Sequence, residues 1–261
     1  MRFMIDTVSL ILLSFLMEMV DNSLGGGFGT ILSPLLVIFG YEPRVIVPAI
    51  LVSETVSGIW GGVWHVKYKN VNLTAVVLTL LGSLVGMASA AYIIGTVLPS
   101  TVAKHYISMV AILMGIFVTM RSFSYVNKIS RPKSKANPAG FSLLGILTGF
   151  NKGGTGGGYG PLSVSGYMVL GLSAATAVGT TTVAEGVACA LGVVLYSQIT
   201  SIVMSVAVPL TLGSFVADPI SAWLNNTLKI KLTQPFHGRL IGVAMTLLGV
   251  VTLLKSLGLI L

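Results

Sequence analysis

A five-residue glycine cluster occurs twice in this chain, and the two copies set its plan. Gly25-Gly26-Gly27-Phe28-Gly29 returns as Gly156-Gly157-Gly158-Tyr159-Gly160, an offset of 131 (156 − 25) in 261 residues. The register holds through apolar sequence, pairing Gly40 with Gly171, Glu54 with Glu185 and Gly61 with Gly192. Glycine is abundant, but Asp and Glu together number only 7. A glutamate 29 positions after the first glycine in both copies (54 − 25 and 185 − 156) therefore marks a duplication rather than a biased composition.

The sequence around the motifs belongs in a bilayer. Hydrophobic residues make up 54% and charged residues 8%, against about 25% charged in a soluble domain. Apolar segments fall at 5–23, 28–40, 45–65, 73–97, 103–123, 139–151, 158–171, 175–197, 201–223 and 236–258. Segments 28–40, 139–151 and 158–171 are too short to cross a hydrocarbon core of ~30 Å at ~1.5 Å per residue. Paired around a glycine break, they predict helical hairpins whose tips sit inside the membrane, where irregular backbone survives only if buried or lining a cavity. The predicted fold is all-α: two inverted repeats, each a glycine-tipped hairpin of short helices plus three spanning helices. Residues 1–124 form the first repeat, 125–138 a basic cytoplasmic linker and 139–261 the second.

Orientation follows from Lys and Arg. With the N-terminus outside, Lys67, Lys69, Arg121, Lys128, Arg131, Lys133, Lys135, Lys229, Lys231 and Arg239 fall inside. Arg2, Arg44, Lys104 and Lys255 fall outside, and Lys152 lies within the membrane zone. This bias predicts an inner-membrane, multi-pass protein with both termini extracytoplasmic. Residues 8–17 imitate a signal peptide, but Glu18 and Asp21 follow without a small-x-small site, so the segment is read as retained.

The motifs suggest an anion site. Each precedes a short helix whose first N–H groups lack intrahelical partners, and two inverted hairpins would aim two positive dipole ends at the midplane. The backbone of Gly25, Gly26, Gly27 and Phe28, and of Gly156, Gly157, Gly158 and Tyr159, is the expected ligand set. Lys152 would add a full charge, and Asn22, Ser23, Asn151, Thr155, Thr180 and Thr181 would add hydrogen bonds. The competing reading is that the glycines only permit close helix packing. Glu54 and Glu185 must be paired or protonated at such depth; they act either as a proton relay coupled to transport or as acceptors that pin the hairpin tips.

Other residues carry less. Cys189 has no partner and is read as a small packed hydrophobe. His65, His105 and His237, with Trp60, Trp64 and Trp223, fit segment edges and interfaces. GxxxxGK[ST], HExxH, GxSxG and paired CxxC patterns are all missing, so neither an ATPase nor another enzyme is expected. No cofactor or metal is expected; the partners are a small anionic substrate and the lipid bilayer, not nucleic acid, and a homodimer is compatible with the sequence.

Together these residues resemble the TauE/SafE sulfite exporter family, also called the toluene sulfonate uptake permease family or DUF81. Gly25–Gly29, Gly40 and Val45–Ser53 match one copy of its pattern; Gly156–Leu162, Gly171 and Ala177–Thr181 match the other. His65–Val71 is similar to the basic loop that follows. The resemblance implies export or uptake of small sulfur-containing anions such as sulfite, thiosulfate or organosulfonates. It also implies a neutral residue where Glu54 stands, a departure in this chain. The expected mechanism is alternating access, one half rocking against the other. A passive anion channel and a proton- or sodium-coupled importer of an organic anion share the same features.

Overall fold

The computed structural model describes residues 5–24, 27–124, 137–227 and 235–260. Those residues form ten α-helices and, among them, no strand. The first half holds α1 (Thr7–Leu24), α2 (Phe28–Ile38), α3 (Pro43–Lys67), α4 (Leu73–Tyr92) and α5 (Ser100–Ser124). The second holds α6 (Pro138–Thr155), α7 (Tyr159–Val169), α8 (Ala174–Ser197), α9 (Met204–Thr227) and α10 (Pro235–Ser256). Helix α4 continues into a π-helical turn, Ile93–Val97, and stops before Pro99. Thr7, Phe28, Pro43 and Leu73 begin helices 131 positions before Pro138, Tyr159, Ala174 and Met204 do, so the glycine register extends to whole elements.

Local chemistry sets the ends identically in both halves. Asp6 accepts from the Ser9 amide (2.9 Å) ahead of α1, and Asn137, at the same repeat position, accepts from the Gly140 amide (3.1 Å) ahead of α6. Gly40 (φ 89°) and Gly171 (φ 96°) close α2 and α7. There the amides of Gly40 and Tyr41 return to Val37 and Leu36, as those of Gly171 and Leu172 return to Met168 and Tyr167. The linker residues 125–136 lie outside the described residues.

Both hairpins exist. The Tyr41 hydroxyl, just after α2, reaches the Ile5 carbonyl before α1 (3.4 Å). In the second half Gly166 of α7, and Leu170 just after it, pack against Leu144 and Gly140 of α6. Helices α2 and α7 have 11 residues each, roughly 16 Å. Helix α6 is longer than the expected 139–151: its 18 residues continue through Thr155. Gly153 and Gly154 do not break it, because they let Met87 and Tyr106 approach its surface.

Among the described residues, six helices are long and apolar enough to cross a membrane: α3, α4 with its π turn, α5, α8, α9 and α10. Their outward residues include Val77, Leu81, Val85, Leu113, Leu212 and Leu247, all exposed. Trp64 sits at the end of α3 with the Lys67 ammonium 5.0 Å from its ring centre.

The halves interleave. Helix α4 runs parallel to α6, with Gly82 against Ser142 and Gly86 against Ile146 and Phe150. Its counterpart contact is α9 on α1, with Gly213 against Ile11 and Phe15. Helices α3 and α8 cross antiparallel at Gly58 and Gly186, with Leu51 near Gly192 and Gly62 near Val183. Helices α5 and α10 also run antiparallel, Gly115 facing Thr246 and Ile112 facing Gly249. Small residues at these crossings let backbones touch, the usual source of helix association in lipid.

Candidate functional site

The two hairpin tips meet. A Cβ on Gly29 would strike the Gly156 carbonyl, and one on Gly157 would strike the backbone of Gly29 and Thr30. Gly156 (φ 74°) and Gly158 (φ 76°) adopt left-handed backbone that closes α6 and opens α7. Ser33 Oγ donates to the Thr155 carbonyl (2.5 Å), and the Gly158 amide donates to Thr30 Oγ1 (2.8 Å), which ties tip to tip. Residues 27–34 and 152–161 are buried throughout.

These contacts occupy most of the expected anion ligands. The Gly156 amide donates to the Lys152 carbonyl (2.8 Å), the Gly157 amide to Thr155 Oγ1 (3.0 Å) and the Phe28 amide to Asp21 Oδ1 (2.7 Å). The N–H groups of Phe28, Gly156, Gly157 and Gly158 already hold protein acceptors. The Tyr159 hydroxyl meets Ser83 Oγ at 3.1 Å, and Thr180 Oγ1 accepts from the Asn72 amide at 3.0 Å. Asn151 is held by the Tyr106 hydroxyl (2.8 Å). Gly27 is buried between Met245 and Ile31; Gly25, Gly26 and the side chain of Asn22 lie outside the described residues.

Lys152 is likewise not a free cation. Its side chain is 1% exposed; its ammonium donates to Glu185 Oε1 at 2.8 Å and forms an ion pair with Glu54. The two repeat-related glutamates thus converge from α3 and α8 on one lysine of α6, rather than on hairpin amides. Pinning falls to Asp21, which stands at the repeat position of Lys152 (152 − 131 = 21). Cys189 is buried, as read, and its thiol also points at Glu54 (3.7 Å).

Three more acids complete the site. A cavity of about 30 Å³ is lined by Glu18, Asp21, Glu54, Ser57, Gly58, Thr182, Glu185 and Asp218, room for one or two waters at ~15 Å³ each. The Glu18 and Asp218 carboxyls both face this cavity. Five of the chain's 7 acids therefore face one cavity beside one buried lysine. Desolvating such ions costs several kcal/mol apiece, which only pairing or protonation offsets. Among the described residues, no three His, Cys, Asp or Glu are arranged to hold a metal ion.

Sequence reading missed Glu18, Asp21 and Asp218 as site residues. The signal was their scarcity: an acid inside an apolar helix needs a partner, and the repeat offset already set Asp21 against Lys152.

The family model described as sulfite exporter TauE/SafE matches residues 10–253. The chain belongs to the TauE/SafE family. The "Probable membrane transporter protein YtnM" of Bacillus subtilis (strain 168) is 31% identical over 237 residues, covering 88% of this chain and 76% of that protein. The "Probable membrane transporter protein YjnA" of the same organism is 27% identical over 187 residues, covering 67% and 72%. No solved structure gives a significant match. As a TauE/SafE member the protein is a multi-pass membrane transporter, and its buried ion cluster lies on helices inside the matched region.

Proposed function

We propose that this protein is a secondary transporter, an exporter of a small sulfur-containing anion such as sulfite or an organosulfonate, coupled to protons and working by alternating access. The observation that carries the coupling is Lys152, buried and clasped by Glu54 and Glu185, two carboxylates that line a cavity with three further acids. An anion is repelled by that cavity while its carboxylates are ionised. A proton on Glu54 or Glu185 weakens its hold on Lys152, and the freed ammonium takes the anion in a charge-assisted contact worth about 1.5–3 kcal/mol. Proton and anion then bind together or not at all, which is obligatory coupling expressed as linkage.

The packing supports an inverted-repeat reading. Matching helices run antiparallel at α3–α8 and α5–α10, and each hairpin packs on the fourth helix of the opposite half. Because α4 is locked to α6 and α1 to α9, the rocking bodies are these interleaved sets rather than the two sequence halves. The charge bias assigns the linker to the cytoplasm and both termini to the outside.

Reconstituted protein loaded with ethanesulfonate or sulfite tests this reading. Saturable counterflow that speeds up with an inward proton gradient and is lost in Lys152→Met is the expected result. Non-saturable flux would make the protein a channel, and pH-independent counterflow would end the coupling proposal. The excess of carboxylates also favours cation coupling in general, so a sodium gradient that replaces the proton gradient would identify the second reading.

A further inference from the structure

A seam of buried hydroxyls runs from the ion cluster towards one end of the protein, between α4, α7 and α8. Tyr159, Ser163 and Tyr167 recur at four-residue spacing on α7, and Thr79 and Ser83 on α4, so each set shares a face. Tyr159 shares a buried cluster with Ala184 and Ala188 of α8, which flank Glu185 in sequence, and Tyr167 shares one with Ala177. Thr181 lies between those levels on the same face, one turn from Glu185.

All of these hydroxyl side chains are buried, at 0–3% exposure. Tyr159 and Ser83 are bonded at 3.1 Å. The hydroxyls of Thr79, Ser163, Tyr167 and Thr181 make no hydrogen bond. Buried hydroxyls left unsatisfied cost about 1–3 kcal/mol each, so four in one seam call for a use.

The first half contains the control. Phe28, Leu32, Leu36, Leu210, Ala49 and Ile50 stand at the repeat positions of Tyr159, Ser163, Tyr167, Thr79, Thr180 and Thr181. All six belong to one tightly buried hydrocarbon cluster. Ser83 alone keeps a hydroxyl there, in Ser214, which is bonded to Ser53 at 2.9 Å; the other positions are hydrocarbon in one seam and hydroxyl in the other.

We propose that the hydroxyl seam is the route by which protons pass between Glu185 and the end of the protein bearing the α3–α4 turn. The inference rests on the proton-coupled reading above and names its path. Each hydroxyl accepts a proton on a lone pair and releases its own to the next; one proton moves, and every oxygen keeps one hydrogen. Gaps of one helical turn, ~6 Å, are spans that a single water bridges. At the inner end Glu185 faces Lys152 of α6, Glu54 of α3 and Asp21 of α1, with Glu18 and Asp218 across the cavity and Cys189 on its own helix. At the outer end Asn72 donates to Thr180, and His65 packs over Gly179 with Nδ1 making no hydrogen bond. His65 is the titratable group placed to exchange protons with solvent.

Infrared spectroscopy of the full-length protein in lipid tests the route without any substrate. The probe is D₂O: the rate at which the carboxylic-acid C=O band shifts after buffer exchange reports access to the cluster. Tyr167→Phe combined with Thr181→Val should slow the shift roughly tenfold, while Ser165→Ala, whose hydroxyl bonds to the Pro161 carbonyl away from the seam, should leave it unchanged. Both seam changes remove hydroxyls that form no complete bond, so folding should be retained; Tyr167→Phe alone gives the same readout should the pair fold poorly. Wild-type exchange rates in the seam variants would overturn the route while leaving proton coupling intact. A wild-type protein with no carboxylic-acid band at any pH would overturn both.

Discussion

Phe28, Leu32 and Leu36 hold on α2 the positions that Tyr159, Ser163 and Tyr167 hold on α7, yet one set fills a hydrocarbon core and the other lines a hydroxyl seam. The pattern repeats at the charges: Asp21 fastens the first tip by accepting from the Phe28 amide, whereas Lys152 leaves the second tip and joins Glu54 and Glu185. The helix starts repeat with one register, but the side chains at matching positions differ in kind.

Several substitutions probe this contrast, and the largest effect is expected at Lys152. Lys152→Met strands the buried Glu54 and the partly buried Glu185 and should destabilise the protein by about 3–5 kcal/mol, read as a lowered melting temperature in detergent. Adding Glu54→Gln and Glu185→Gln should restore melting but not transport; recovered transport would remove Lys152 from the mechanism. Next come the seams. Leu32→Ser should cost about 3 kcal/mol, because it opens a hole in hydrocarbon, whereas the mirrored Ser163→Ala should cost under about 1 kcal/mol, its hydroxyl having no partner. Equal losses would show that the seams do not differ in kind. At the junction of the tips, Gly29→Ala drives a Cβ into the Gly156 carbonyl and should cost about 2 kcal/mol; an unchanged melting temperature would argue that the tips do not touch.

The smallest effect compares the caps. Asp6 is exposed, and hydrogen bonds from the Ser9 amide and hydroxyl hold its carboxyl below the usual aspartate value. Its contribution is present above the unfolded aspartate value of 3.8 and is lost as pH falls through the lower folded value. Asp6→Ala should therefore show a slight melting deficit at neutral pH that disappears on acidification. The uncharged cap Asn137 should show no such dependence when replaced by Ala. A pH-independent Asp6 deficit would refute the cap's ionic character.

Much of the architecture was legible because it rests on local rules. Segment length gave the hairpins and six long helices, and a register of 131 carried from glycines to helix starts. Helix α6 ends later than its apolar segment 139–151, since packing against α4 and Tyr106 makes Gly153 and Gly154 helical contacts. The anion site was assembled from amides that turned out to be bonded to Asp21, Thr155 and Thr30. Their acceptors lie up to 128 residues away, and helical periodicity says nothing about such partners.

By itself, then, the sequence determined a bilayer protein made of two matching halves, because hydrophobicity and backbone freedom are properties of short stretches of chain. Only the tertiary structure decided which ions neutralise one another. Burial makes an isolated charge intolerable but does not say where its counter-charge comes from; interleaving the halves brought Lys152 between Glu54 and Glu185 and turned three neighbouring acids towards the same cavity.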